Sequence, residues 1–216
     1  MKHSILYLAN WKMYLSYKQE IQFFSSHKKQ FIELAQQNNA TIALFPSYVS
    51  LDALSQETKN TGIVIGAQDC SAEIPGTFTG QVSAQSLAQL GCTFCLVGHS
   101  ELRKLGQING QVVQKIIRLY ENKITPVICI GETEAEYKQD ETTHVIKQQL
   151  IPILDLPYLK KMIIAYEPVW AIGSHKTPRP DEIEQVFAYI DSIIKESDKK
   201  LDYRLVYGGS VTSSNV

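Results

Sequence analysis

Seven short apolar runs recur along the chain, at Ile5–Ala9, Thr41–Phe45, Ile63–Ala67, Phe94–Val97, Pro126–Ile130, Met162–Tyr166 and Arg204–Tyr207. Most are continuously apolar rather than alternating, which predicts parallel strands covered on both faces. Amphipathic stretches lie between them. The clearest is Ile183, Val186, Phe187, Ile190, Ile193 and Ile194, which fall on one helical face. Pro180, Asp181 and Glu182 mark its start, because proline and acids suit a helix N-terminus. Val113, Ile116, Ile117 and Tyr120 predict a second helix. Ile21, Phe24, Phe31 and Leu34 predict a third, less regular one.

Strands alternating with helices predict a parallel α/β domain. A doubly wound sheet and a closed barrel both satisfy the alternation, and the polar residues separate them. Asn10 and Lys12 follow the first strand, Gln68 and Asp69 the third, His99 and Glu101 the fourth. Glu132 follows the fifth, Glu167 the sixth and Gly208-Gly209-Ser210 the seventh. In a barrel all these C-terminal ends converge on one face. In an open sheet only those near the switch point meet a ligand. Reactive residues after nearly every strand favour the barrel. Asn10-Trp11-Lys12 stands where a dinucleotide-binding glycine fingerprint would begin.

The 216 residues are 44% hydrophobic and 20% charged, enough for one sizeable core, so a single domain over residues 1–216 is expected. The net charge of -1, with Lys and Arg scattered, gives no footprint for a nucleic acid. No apolar run approaches the roughly 20 residues of a membrane span. Ile5–Ala9 is too short for a signal peptide. Four cysteines suit a reducing cytoplasm. Asn39-Ala40-Thr41 matches a glycosylation acceptor by chance in that setting. Cys92 and Cys95 have redox-motif spacing, but residues three apart on a strand face opposite sides, which argues against disulfide or metal use. Cys129 reads as packing.

The chemistry centres on Glu167. It stands at the mouth of a buried strand, followed by Pro168, an aromatic residue and Gly173. Partial desolvation there would raise its pKa and strengthen it as a base. His99 precedes a short helix whose N-terminus disfavours an imidazolium. A neutral imidazole still donates to a carbonyl. Lys12 offers a positive charge for a developing oxyanion. Gly173 and Gly208-Gly209-Ser210 offer backbone N–H groups to a phosphate. Together these predict proton abstraction beside a carbonyl in a small phosphorylated substrate. Each group alone has a structural reading: a strand-end carboxylate, a hydrogen-bonding histidine, a surface lysine, a turn. Their joint placement after parallel strands is what favours chemistry.

The chain resembles the triosephosphate isomerase family along its whole length. The resemblance is carried by Asn10-Trp11-Lys12-Met13, by Gly98-His99-Ser100-Glu101, by Ala165–Gly173 and by Tyr207-Gly208-Gly209-Ser210-Val211, four motifs in the family's order. It implies a (β/α)8 barrel and interconversion of dihydroxyacetone phosphate and glyceraldehyde 3-phosphate through an enediolate. Glu167 would shuttle the proton and His99 polarise the carbonyl, a pairing for which this family is itself the standard example. Lys12 would stabilise negative charge, Asn10 would help place substrate, and Gly173 and Ser210 would bind phosphate through backbone N–H. A lid from Pro168 to about Thr177 would close over the intermediate and suppress phosphate elimination. No metal or organic cofactor is implied. The family is typically a homodimer, and the 68–80 loop resembles the one that enters the partner subunit, with Thr79 reaching toward the partner's site.

Three departures stand out. Leu102 replaces a usual arginine, and Gln107 and Gln81 replace common acids, so a less polar network near the dimer contact is expected. His175 replaces a lid glycine, a cost of about 1 kcal/mol if that position needs positive φ. The sequence stops at Asn215-Val216, before the family's eighth strand and last helices, and is read as a C-terminally incomplete record of a longer product. A seven-stranded barrel would expose two edges and lose phosphate contacts. Two other readings remain: another phosphosugar isomerase or epimerase, and a catalytically silent fragment that needs a partner chain.

Overall fold

A computed structural model describes residues 5–37, 39–172 and 177–211. The chain divides into two compact units: Met1–Val97 with Ile117–Pro126, and Gly98–Ile116 with Val127–Val216. Within each unit, neighbouring strands run parallel in chain order.

In the first unit, β1 (Leu6–Asn10) leads into α1 (Tyr17–Gln37), β2 (Thr41–Phe45), α2 (Leu51–Glu57), β3 (Ile63–Ala67), α3 (Ala84–Gln89) and β4 (Phe94–Val97). The register pairs Leu6 with Thr41 through Asn10 with Phe45, then Ile42 with Ile63, then Gly66 with Phe94. Continuous apolar runs form these strands because both faces are covered. Phe45, Leu44, Leu51, Leu54, Leu87 and Phe24 are buried there. Of the loosest helical face, Phe24 is buried and Leu34 lies exposed. The helix anchors instead through Glu20. Its buried carboxylate accepts Ser47 N–H at 2.9 Å and Ser47 Oγ–H at 2.7 Å.

In the second unit, α4 (Ser100–Lys104) and the start of α5 (Asn109–Glu121) precede most of β5 (Thr125–Ile130). Then come α6 (Glu134–Lys138), α7 (Thr142–Leu154), β6 (Lys161–Tyr166), α8 (Pro180–Glu196) and β7 (Asp202–Tyr207). Val127 pairs with Ile163, and Lys161 to Tyr166 pair with Asp202 to Tyr207. Ile146, Leu150, Ile153, Ile190, Ile193 and Ile194 are buried on α7 and α8. α8 begins at Pro180, with Glu182 Oε2 accepting the Arg179 N–H at 2.7 Å.

All seven apolar runs form strands, four with the first residue one or two places from the sequence expectation. On α5 the fully buried face is Val112, Ile116 and Leu119, one position off the expected set, while Val113, Ile117 and Tyr120 are half-buried. β1 and β7, the first and last strands, both stay half-buried along nearly their whole length. Among the described residues, no helix is long and apolar enough to cross a membrane.

Candidate active site

In the first unit, the end of β1 turns sharply. Lys12 takes φ 53, a left-handed conformation uncommon outside glycine and costing of order 1 kcal/mol. Two side chains hold it. Asn10 Oδ1 accepts the Lys12 N–H at 3.0 Å, and Gln68 Nε2–H donates to the Lys12 carbonyl at 2.9 Å. The same amide donates to the Phe45 carbonyl at 3.0 Å, which ties the ends of β1 and β2 to the residue after β3. The Asn10 side chain thus fixes the backbone that carries Lys12.

In the second unit, His99 caps α4. Its Nδ1 accepts the Glu101 N–H at 3.2 Å, a helix-capping role usually taken by an oxygen. Glu101 Oε2 also lies 3.6 Å from Nδ1. The backbone donor occupies the Nδ1 lone pair, so the proton belongs on Nε2. Nε2 faces Glu167 Oε1 at 3.5 Å. Ser100 N–H points at Glu167 Oε2 from 3.4 Å. Both His99 and Glu167 are buried. The arrangement is a sheltered carboxylate facing the N–H edge of a neutral imidazole.

Glycines set the carboxylate's position. Glu167 N–H donates to the Ile130 carbonyl at 2.7 Å, and a Cβ on Gly131 would stand 1.9 Å from the Glu167 carbonyl oxygen. No side chain can occupy position 131 unless Glu167 moves. Gln149 clamps Gly131 from both sides, accepting its N–H at 2.9 Å and donating to its carbonyl at 3.2 Å. Gly208 also comes close: a Cβ there would lie 3.0 Å from Glu167 Cγ. The glycine loop after β7 therefore lies against the carboxylate. Ser210 Oγ–H donates to the Ala171 carbonyl at 2.7 Å, joining that loop to the start of the expected lid. Pro168 and the 3-10 turn Val169–Ala171 are described there. Gly173 and His175 lie outside the described residues.

Glu132 is fully buried. It accepts Trp170 Nε1–H at 2.7 Å and Tyr166 O–H at 3.1 Å, and its carbonyl accepts Val169 N–H at 3.0 Å. Burial pushes its carboxyl pKa up, and the two side-chain donors oppose part of that rise. Burial likewise pushes the Arg103 guanidinium down, while the charge of Glu167 supports it. Arg103 donates to the Gly98 carbonyl at 2.7 Å and to Asn109 Oδ1 at 2.6 Å. Gly98 has φ 72 and sits 2.9 Å from Arg103 Nη2 at its missing Cβ, so the glycine before His99 is needed on both counts.

Sequence reasoning gave Gly131, Gln149 and Arg103 no role, and named Glu132 without one. The first three act through backbone carbonyls and close approach, which residue type does not encode. Glu132 was findable, as an acid two residues after a strand with a tryptophan three residues beyond Glu167. At the substituted positions, Gln81 Oε1 accepts Ser71 Oγ–H at 2.6 Å. Gln107 Oε1 is buried with no hydrogen-bond partner among the described residues. A neutral carbonyl tolerates that place better than a carboxylate would. The four cysteines are buried free thiols. Burial and a hydrogen bond with Cys70 push the Cys95 thiol well up, and burial pushes Cys92 up to about 11, so neither is a ready thiolate.

Parallel β/α repeats that carry an acid and a histidine at strand C-terminal ends fit the class of (β/α)-barrel enzymes, whose active sites are built at those ends. The family described as triosephosphate isomerase matches residues 5–216. A triosephosphate isomerase of Bdellovibrio bacteriovorus is 36% identical, over 97% of this chain and 86% of its own length. One from Coxiella burnetii (strain Dugway 5J108-111) is 37% identical over 100% and 86%, and one from Cupriavidus pinatubonensis 38% identical over 97% and 86%. This chain belongs to the triosephosphate isomerase family, an α/β barrel family, and seven of its strands are described here.

Proposed function

We propose that this chain is an aldose–ketose isomerase that interconverts dihydroxyacetone phosphate and D-glyceraldehyde 3-phosphate, a step of glycolysis and gluconeogenesis. The buried Glu167–His99 pair, in a chain of this family, is the observation that carries the reading. Glu167 takes the proton from one carbon and returns it to the next. His99 Nε2–H polarises the carbonyl and then serves the enediolate oxygens. A neutral donor suits that task because it need not lose a charge as the oxyanion forms. Lys12, held in its strained turn, supplies the positive charge, and Asn10 keeps it there while helping to place substrate. Gly173 and Ser210 bind the phosphate through backbone N–H. No step calls on a metal or organic cofactor. The whole chain acts as one domain in the cytoplasm, with no nucleic acid or membrane partner.

The family match favours a triose phosphate over other phosphosugars, and an enzyme over a silent fragment. We also infer a homodimer through the 68–80 loop. Supporting it, the apolar side chains of Ile74 and Phe78 in that loop are exposed, and Met13 and Tyr14 are 94% and 82% exposed. Such apolar surface is costly unless a partner covers it.

The test is isomerase activity of the 216-residue chain on glyceraldehyde 3-phosphate, beside Glu167→Gln. Loss of the base is expected to lower kcat by on the order of 10^3-fold with the fold intact. A variant as active as the parent would sink the assignment of Glu167.

A further inference from the structure

A second cavity lies within the second unit, about 420 Å³ in volume, a size that suits a small molecule. None of the proposed catalytic residues lines it. Its walls include Tyr137, Asp140, Tyr166, Trp170, Glu182 and Gln185. The Tyr137 and Trp170 rings stack, with centroids 4.2 Å apart and planes at 22°. Two carboxylates, Asp140 and Glu182, reach the cavity, and its described lining holds no Lys, Arg or His. Arg179 pairs with Glu182, its Nε 3.7 Å from Glu182 Oε1 on a side chain 70% exposed. An exposed pair of that kind is weak and readily exchanged for a ligand.

A third carboxylate stands behind the aromatic wall. Glu132 accepts the Trp170 indole N–H at 2.7 Å and the Tyr166 hydroxyl at 3.1 Å. An indole that donates to a carboxylate has a more electron-rich ring, and such a ring attracts a cation better. Burial and then the neighbouring Glu182 push the Tyr137 hydroxyl pKa up, and the Arg179 charge opposes part of that rise. An anion would meet carboxylates on two sides. A neutral apolar ligand would use the aromatic wall and leave both charges unanswered.

We propose that this cavity is a binding site for a small organic cation, an ammonium or amidinium on a flat apolar body. Asp140 and Glu182 hold the charged nitrogen, and the body lies against the Tyr137–Trp170 wall. Two conservative substitutions remove the charges and keep the local backbone. Glu182→Gln keeps an oxygen for the Arg179 N–H, since glutamine serves equally at that helix position. Asp140→Asn keeps a residue at ease with φ 62.

The experiment titrates the full chain with benzylammonium and, separately, with benzyl alcohol, by calorimetry and by the Trp170 indole N–H resonance. Saturable binding is expected, about tenfold tighter for the ammonium than for the alcohol, with the indole resonance moving at the same Kd. The double variant Asp140→Asn/Glu182→Gln should bring the two ligands to equal affinity. Equal affinity in the parent chain, unchanged ammonium binding in the double variant, or no saturable shift at Trp170 would each overturn the proposal. The titration needs no substrate and reads nothing from isomerase activity, so its outcome is independent of the proposed catalysis.

Discussion

Glu132 has no exposed surface, yet it can carry a charge, and two donors point at it. Its folded pKa is raised, so the folded chain holds this proton more tightly than the unfolded chain does. Stability from this group is therefore greatest below its ordinary value of 4.5 and falls as pH rises from there through the raised folded value. Glu132→Gln has no such proton. Thermal melts of the two proteins across this range should show the parent losing ground to the variant as pH rises. A gap that widens in the parent's favour would mean that the Trp170 and Tyr166 hydrogen bonds outweigh burial.

At the scale of elements, the strand ends matter more than the strands. Gly131 joins β5 to its loop so tightly that a methyl group there would strike the Glu167 carbonyl. Gly131→Ala should displace Glu167 by a fraction of an ångström to an ångström and lower kcat about 10^2-fold. The check is kcat beside the urea midpoint, and a kcat equal to the parent's would show that the loop yields at no cost to the base. Arg103 binds α4 to the residue before His99 and to the start of α5 through Asn109. Arg103→Met removes those donors and leaves acceptors unpaired, with an expected cost of about 3 kcal/mol in urea unfolding. α7 went unnoticed in the sequence for a physical reason. Its buried face, Val145, Ile146, Gln149, Leu150, Ile153 and Leu154, includes a glutamine, Ile151 lies exposed and Pro152 stands inside the helix, so the residue types blur a stripe that burial makes plain.

At the scale of the molecule, the exposed apolar side chains of the first unit bear on assembly. Ile74→Asp with Phe78→Asp should turn a dimer into a monomer in sedimentation at micromolar concentration, with kcat reduced. An unchanged sedimentation coefficient would remove the 68–80 loop from the interface. The strand positions, the start of α8 and the placement of Glu167 and His99 were legible in the sequence. Apolar periodicity, helix-start residues and motif order are local properties, and local properties are written in consecutive residues. The turn that strains Lys12 was not legible, because Gln68 Nε2 bonds its carbonyl from 56 positions away. Nor was the nearness of Gly131 and Gly208 to Glu167, or the shared hold of Trp170 and Tyr166 on Glu132. The sequence by itself determined which elements form and which reactive residues stand at their ends. Only the tertiary structure decided which atoms face which, because strand register and backbone approach, rather than residue type, fix distances of about 3 Å.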